Sequence, residues 1–426
     1  MLGVAPFRKS LAFSLCLFIC LNVACGEDDD QINPEDLGGE LIESDVERAD
    51  PVATDAMLEE YAFGQAEFAI RFLRAGFDAD ESGVFSSYSL AEALTIASTF
   101  DAFSEAELVA MQSSVGIDET QDAFDSSNTF RQAVDERIEA ADPDEVGYAN
   151  INDIWVEAAD EADRFDLDEM QRYFGVGVRK TPLGSDTELG AETINKYIDY
   201  HTRGLIPNLI SPGQLEDVFA AVSTVLYLKA SWTGEFSEGS EREFFLGDDT
   251  SVEVPSMSGM TRTESNYDFM TGDFPDDEPT VVSIPLRGGF VFDIIAPPAG
   301  ELPQYLADFD AQAYHELLDE LSSADANVTM PVFEIDSRPA AKNIMLDEFG
   351  LPPSIFELGK IGDIIHEAVI DVNETGIEAA AATVITFHDN QASGPEFSVE
   401  IDRPFLYFVR DRNTRMVLFS GQYFGD

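Results

Sequence analysis

Segments with helical periodicity come first in this chain, and segments with strand character come later. Residues 55–75 place apolar side chains at helical spacing, which predicts an amphipathic helix. Residues 219–231 are almost continuously apolar, as is typical of a strand that is buried on both faces. After about residue 240 strand patterns dominate, without the regular alternation of strands and helices that a parallel sheet requires. The order predicts an α+β fold in which helices pack on large, mainly antiparallel β-sheets.

Residues 55–426 are predicted to form one domain. No internal repeat and no linker-like composition interrupts the chain after residue 55. The chain has 426 residues, of which 44% are hydrophobic, so it is long enough and apolar enough to bury a large core.

The net charge of the chain is −59, from 24 Lys and Arg residues against 83 Asp and Glu residues. Binding to nucleic acid or to anionic lipid needs a basic surface, so the composition argues against both. Repulsion between copies at this charge also favours a monomer. For the same reason we expect no heparin-like polyanion as a partner.

The N-terminus has the pattern of an export signal. A short basic region precedes residues 10–23, which are mostly apolar but too few to span a membrane. Residues 1–24 are therefore interpreted as a signal peptide. A small residue precedes Cys25, which resembles the lipidation signal of bacterial lipoproteins, although Asn22 stands where that signal normally has leucine. Two locations stay open: the cell envelope, with a lipid on Cys25, or the extracellular space after simple secretion.

Residues 25–54 are acidic and weakly hydrophobic. This composition is typical of disorder, so we predict a disordered tether, with membrane contact only through a lipid on Cys25. The other two cysteines, Cys16 and Cys20, lie in the signal peptide. The mature chain is therefore expected to contain no disulfide.

A search for catalytic motifs gives a negative result. The four histidines form no HExxH motif, and the chain has no GxSxG, Walker or GxGxxG motif. Residues 78–83 resemble the start of a calcium loop, but Ser89 stands where that loop needs a bidentate glutamate, so a turn is predicted. We predict that the protein is not an enzyme and carries no metal or cofactor.

The stretch from Asn373 to Phe405 combines two conflicting local preferences. The four alanines at 379–382 favour a helix, whereas residues 383–387, with the sequence TVITF, favour a strand. As a strand, the stretch would place small or apolar side chains at every second position from Ile377 to Phe387. A polar tract without hydrophobic periodicity follows at 388–395. From this local pattern alone, a strand and a short helix both stay open.

Several short stretches occur in a characteristic order along the chain. They are residues 84–90 (VFSSYSL), 194–195 (IN) with 202–206 (TRGLI), 226–232 (LYLKASW) with Phe236, 254–257 (VPSM), 366–369 (HEAV) with 373–376 (NETG), 403–405 (RPF) and 418–421 (LFSG). One of them alone would be a weak signal. The ordered set resembles the serpin family over residues 56–425, which is nearly the whole mature chain.

This resemblance implies the serpin fold and a suicide inhibitor of proteases. Members of the family expose a reactive loop that a protease recognises as a substrate, and the nucleophile of the protease attacks this loop. Before the acyl-enzyme hydrolyses, the hinge of the loop inserts into the large sheet and distorts the protease. The implied partner is a target protease of the serine type, or alternatively of the cysteine type. The resemblance assigns the hinge to Glu374, Gly376, Ile377, Ala379, Ala380, Ala381 and Ala382.

The hinge composition suits such an insertion. Gly376 permits the backbone to turn, and the alanines enter between strands at little steric or entropic cost. Ile377 replaces the Thr or Ser that is usual there, and this larger β-branched side chain bears on the rate of insertion.

The reactive bond is Asn390–Gln391 when it is counted by the family's usual spacing from Glu374. The tract up to Pro404 is longer than in typical members, so Gln391–Ala392 and Ala392–Ser393 stay open as alternatives. None of these positions is basic. We therefore predict weak or no inhibition of trypsin-like proteases, and a target that cleaves after Asn, Asp or small residues.

The resemblance assigns the region where the sheet opens to Ser86, Ser89, Thr224, Trp232 and His366. Thr224 stands where the family generally has Asn. Trp232 is expected where the loop first enters the sheet. His366 is expected to form a hydrogen bond beneath the sheet and not to catalyse.

Two functions stay open at this point. The first is a suicide-type protease inhibitor, and the second is a non-inhibitory serpin-like binding or structural protein. Charged or bulky residues in place of the hinge alanines would favour the second function. This chain keeps the alanines, which favours the first.

Overall fold

The computed structural model describes residues 37–116, 120–216, 218, 220–247, 250–275, 278–356, 364–377 and 395–425. Helices pack against two large β-sheets, which confirms the predicted α+β fold. Within the described ranges, no helix combines the length and the apolar character needed to cross a bilayer.

The helices in the described part of the chain are α1 (Asp55–Gly76), α2 (Ser87–Ala97), α3 (Glu105–Ser114), α4 (Thr120–Glu139), α5 (Leu167–Glu169), α6 (Thr187–His201), α7 (Leu302–Asp308), α8 (Ala311–Glu320) and α9 (Ala341–Asp347). The first helix matches the sequence prediction. It begins where the side chain of Thr54 accepts a hydrogen bond from the backbone N–H of Met57, which satisfies one free N–H group of the first turn.

The strands are β1 (Glu40–Ile42), β2 (Gly83–Phe85), β3 (Val146–Val156), β4 (Val178–Lys180), β5 (Ala220–Ser231), β6 (Glu235–Glu238), β7 (Arg242–Gly247), β8 (Thr250–Val254), β9 (Ser256–Ser265), β10 (Thr280–Pro285), β11 (Phe290–Ala296), β12 (Ser322–Pro331), β13 (Phe333–Ser337), β14 (Ala368–Asn373), β15 (Gly376–Ile377), β16 (Phe397–Glu400), β17 (Phe405–Asp411) and β18 (Val417–Tyr423). The long apolar segment near residue 220 is therefore a strand, as its composition predicts.

A seven-stranded sheet has the order β1-β4-β3-β5-β15-β14-β13. A nine-stranded sheet has the order β16-β12-β9-β10-β11-β17-β18-β2, with β6 beside β9, and β7 pairs with β8 in a separate hairpin. The chain passes from β15 in the first sheet to β16 in the second through residues 378–394, which lie outside the described residues.

The main core lies between these sheets and the helices α1 and α2. A smaller apolar cluster covers the other face of the seven-stranded sheet, where Ile151 and Trp155 of β3 meet Ile194 and Ile198 of α6. The central strand β5 contributes Leu226 to the main core and Val225 to the smaller cluster, so this strand is packed on both faces.

Strands dominate after residue 240, as predicted. Helices α7, α8 and α9 also lie in this region. They are short, and α8 buries Ala311, Tyr314 and Leu318, which are spaced i, i+3 and i+7 as on one face of an amphipathic helix. This periodicity is a signal that could have identified α8 from the sequence.

The structure corrects part of the predicted tether, residues 37–54, while residues 25–36 lie outside the described residues. Residues 37–54 lie along the folded protein, and β1 pairs antiparallel with β4 at the edge of the seven-stranded sheet. Further along, the backbone N–H of Ala49 bonds to the carbonyl oxygen of Arg172, and its own carbonyl accepts from Asn128. These backbone contacts need no hydrophobic periodicity, which explains why the sequence pattern did not indicate them. We call residues 37–54 the N-terminal strap.

Candidate functional site

The hinge strand β15 lies between β5 and β14. Ile377 is opposite Ala230 of β5 on one side and Val372 of β14 on the other, and Gly376 is opposite Ser231 and Asn373. The chain reaches this position by turning back from β14 at Glu374 and Thr375. The first two residues of a new strand are therefore already present in the sheet.

Gly376 fits this position because it has no side chain. Its φ angle is +151°, and a Cβ atom built on it would lie 2.1 Å from the carbonyl oxygen of Ala230. Any other residue would clash with the backbone of β5. Ile377 is 3% exposed, so the larger residue that replaces the usual Thr or Ser is already buried between the strands.

Trp232 holds the turn before the hinge. Its indole Nε1 donates a 2.7 Å hydrogen bond to the carbonyl oxygen of Asn373, and its backbone N–H donates to the carbonyl oxygen of Thr375. The indole also contacts the rings of Phe236 and Phe292. Trp232 therefore lies directly beside the hinge.

A cavity continues the path of the hinge strand. It has a volume of about 20 Å³ and lies between Leu226 and Leu228 of β5 and Val369 and Ile370 of β14, with Ile377 at one end. Residues from the segment after α6, including Leu205 and Ile206, line its other face. We call this space the central cavity.

Ser86, Ser89 and His366 come together below the sheet. The backbone N–H of Ser86 donates a 3.0 Å hydrogen bond to Nε2 of His366, and the Ser86 hydroxyl donates to the carbonyl oxygen of Leu418. The same hydroxyl accepts from the backbone N–H of Ser89 and so begins α2. Because Nε2 accepts a hydrogen bond, the imidazole is neutral with its proton on Nδ1.

Burial keeps His366 neutral. The side chain lies inside the protein, and desolvation lowers its pKa from the ordinary value of 6.5 to about 4. The Nδ1 atom has no hydrogen-bond partner among the described residues. A neutral, buried imidazole of this kind can hold a helix start in place.

Only some of the hinge and sheet-opening residues that were assigned from the sequence lie close together in the structure. Trp232, Glu374, Gly376 and Ile377 lie together at the hinge, where Ile377 lines the central cavity. Thr224 is on β5 opposite Asn152 of β3, and its side chain lies outside the described part. Also outside the described residues are Ala379, Ala380, Ala381, Ala382, Asn390, Gln391, Ala392, Ser393 and Cys25.

A prominent buried charge lies beneath the seven-stranded sheet and is not part of any motif identified from the sequence. Glu92 of α2 is 0% exposed and pairs with Arg131 of α4 beneath the seven-stranded sheet. A glutamate inside an otherwise apolar helix is the signal that could have identified it, because such a charge needs partners when it is buried.

Comparison with known proteins identifies the family. A family model described as serpin (serine protease inhibitor) matches residues 64–425. Curated relatives include Iripin-3 of Ixodes ricinus, 26% identical over 59% of this chain and 66% of the relative. They also include an uncharacterised serpin-like protein of Thermococcus kodakarensis, 27% identical over 64% of this chain and 65% of the relative. The chain thus spans slightly less than two thirds of the length of these relatives.

Solved structures agree on the fold. The native state of the thermophilic serpin tengpin has a TM-score of 0.70 at 17% identity and covers 90% of this chain and 99% of that one. Human thyroxine-binding globulin in complex with its ligand has a TM-score of 0.68 at 19% identity, covering 86% of this chain and 98% of that one. With the family model matching most of its length, this chain belongs to the serpin family.

Proposed function

We propose that this protein inhibits proteases as a suicide substrate, by inserting its cleaved reactive loop between β5 and β14. The observation that carries the proposal is the position of β15, which already lies between these strands in antiparallel register with both. A longer insertion would continue the same register once β5 and β14 move apart.

The inner face of the continued strand would be apolar. Since Ile377 is opposite Ala230, continuing the register puts Ala379 opposite Leu228 and Ala381 opposite Leu226. Both leucines belong to the main core. Ile385 and Phe387 would follow on this same face, because side chains alternate along a strand.

The outer face would need small side chains. Ala380 would be opposite Tyr227, and Ala382 opposite Val225, beneath the segment that follows α6. Tyr227 already carries the guanidinium of Arg203, 5.3 Å from its ring centre. Glu378 would be opposite Lys229, a favourable pair of charges.

The reactive bond lies far enough along the loop for complete insertion. In the continued register, residues 378–387 are opposite residues 229–220, which is the full length of β5 below the hinge. Cleavage at Asn390–Gln391 would leave all of these residues on the inserting side. The alternatives Gln391–Ala392 and Ala392–Ser393 satisfy the same requirement.

Incubation with a panel of proteases tests this function. The panel should include proteases that cleave after Asn, after Asp and after small residues, with a trypsin-like protease for comparison. We expect an SDS-stable complex with a member of the first three groups and a new N-terminus at Gln391, Ala392 or Ser393. Cleavage in this region without a complex, and without a gain in thermal stability, would contradict the proposal.

A non-inhibitory binding or structural role is the alternative. Thyroxine-binding globulin, named in one of the matched structures as complexed with its ligand, has the same fold. The hinge composition favours the inhibitory role, because residues 379–382 are alanines, whereas charged or bulky residues there would favour the alternative.

We further propose that the protein is exported and acts as a monomer, with Cys25 either lipidated or free in a secreted form. The supporting observations are the sequence pattern of residues 1–25 and the net charge of −59. Expression of the full chain with labelled fatty acid, alongside Cys25→Ser, distinguishes the two forms. Label on the parent chain but not on the variant indicates a lipoprotein.

A further inference from the structure

A buried carboxylate ties the seven-stranded sheet to the helices beneath it. Glu92 of α2 is fully buried and accepts hydrogen bonds on both of its oxygens. One oxygen accepts from the strand β3, through the side-chain amides of Asn150 at 2.7 Å and Asn152 at 2.8 Å. These two residues alternate with Ile151 and so point to the same face of the sheet.

The other oxygen of Glu92 accepts from the helices. Its donors are the Tyr88 hydroxyl at 2.9 Å, the Ser127 hydroxyl at 3.0 Å and the Arg131 guanidinium at 3.1 Å. Ser127 and Arg131 belong to α4. One carboxylate therefore joins α2, α4 and β3.

Glu92 is charged in the folded protein. Burial alone would raise the pKa of its carboxyl, but Arg131 and the hydrogen bonds from Asn150, Tyr88 and Asn152 together hold this pKa below its ordinary value. A buried charge that loses its donors is strongly destabilising, so the five hydrogen bonds resist any change that separates them.

Opening of the sheet would separate β3 from these helices. The central cavity, with a volume of about 20 Å³, does not hold a full strand, because an inserted strand needs its two neighbours about 9.5 Å apart along their whole length. β5 must therefore shift away from β14. β3 is paired with β5 from Val146, opposite Ala230, to Val156, opposite Ala220, so it must shift together with β5.

We propose that Glu92 is a positioning residue that limits how fast the sheet opens, by anchoring Asn150 and Asn152 of β3 to α2 and α4. This role of Glu92 rests on the proposed function in one respect: the role and the function each require a strand to enter between β5 and β14. It concerns the rate of that step and not the identity of the protease.

Annealing of a synthetic peptide measures this rate without any protease. The probe is a peptide with the sequence of residues 378–389, EAAAATVITFHD, which in the continued register would fill the sheet below the hinge. The test variant is Asn150→Ala combined with Asn152→Ala, which frees β3 but leaves Glu92 paired with Arg131. A second variant, Glu92→Gln, covers the case in which the double variant does not fold.

The chain offers a matched control in the nine-stranded sheet. Asp293 is also fully buried and accepts from Arg410 at 2.6 Å and from Tyr314 at 2.7 Å. The control variant Asp293→Asn weakens a similar buried network that does not touch β3. Each variant is assayed at the same interval below its own melting temperature, which removes the effect of general destabilisation.

We expect the Asn150/Asn152 double variant and Glu92→Gln to anneal the peptide about tenfold faster than the parent chain, and Asp293→Asn to anneal at the parent rate. Equal rates in all four proteins, equal acceleration in the control, or no annealing in any protein would overturn the proposal. Faster annealing without any protease complex would keep this inference and remove the inhibitory function. If the parent chain forms protease complexes but the variants anneal the peptide at the parent rate, the inhibitory function stands and the role proposed for Glu92 is wrong.

Discussion

The indole Nε1 of Trp232 donates a 2.7 Å hydrogen bond to the carbonyl oxygen of Asn373, at the point where β14 turns back into the hinge strand. This bond joins the end of β5 to the turn that sets the position of Gly376. The position of the hinge therefore depends on a side chain outside the reactive loop.

Replacement of Trp232 by Phe should loosen the hinge. The Asn373 oxygen would lose its indole donor, which costs about 1 kcal/mol for a partly buried hydrogen bond. Hydrogen exchange of peptides that cover residues 370–377 should become faster. Trp155→Phe is the matched control, because it removes an indole bond to Ser223 instead. Equal exchange at the hinge in both variants would contradict the role assigned to Trp232.

Gly376→Ala should displace the hinge strand. The added Cβ would lie 2.1 Å from the carbonyl oxygen of Ala230, at a φ angle of +151° that side chains rarely adopt. We expect the variant to lose about 1–3 kcal/mol of stability and to need more inhibitor molecules per protease trapped. Gly184→Ala is the control, since no atom lies within 4 Å of its added Cβ. If both variants behave like the parent, the hinge is not seated as described.

Acid should weaken the fold through His366. Burial lowers its pKa from 6.5 to about 4, so the unfolded chain binds a proton at a pH where the folded chain does not. The stabilisation is complete above pH 6.5 and is lost as the pH falls towards 4. Between pH 7 and pH 5 the loss due to this residue should be about 2 kcal/mol.

Urea unfolding of the His366→Gln variant isolates this contribution. A glutamine oxygen can still accept from the backbone N–H of Ser86, but it does not titrate. The parent chain should lose about 2 kcal/mol more than the variant between pH 7 and pH 5. Parallel losses in the two proteins would show that His366 does not stay neutral when buried.

The N-terminal strap should stabilise the domain through Arg48. Its Nε donates to Oδ1 of Asn128 at 3.0 Å, and its NH1 lies 3.6 Å from Asp135. Arg48→Ala should cost about 1–2 kcal/mol in the free energy of unfolding. Arg262→Ala, which removes an exposed ion pair with Asp325, should cost less than about 0.5 kcal/mol. A strap that is not bound in solution would make the two losses equally small.

Sequence patterns predicted the elements whose burial is periodic or continuous. Helix α1 and strand β5 are of this kind. The family resemblance assigned Gly376 and Ile377 to the hinge, expected Trp232 where the loop enters the sheet, and grouped Ser86 with His366 in the region where the sheet opens. The strap was missed because it is held by the backbone hydrogen bonds of β1 and by the polar contacts of Arg48 with α4, neither of which leaves a hydrophobic pattern. The partners of Glu92 are up to 60 residues away in sequence, so no local pattern could indicate them.

The melting temperature before and after cleavage within residues 388–394 tests the central claim most directly. If the cut loop enters between β5 and β14, burial of Ile385 and Phe387 should raise the melting temperature by about 10 °C. Ala380→Arg, which would place a long charged side chain opposite Tyr227, should be cleaved without this gain, whereas Ala380→Ser should keep it. An unchanged or lower melting temperature in the cleaved parent chain would contradict insertion.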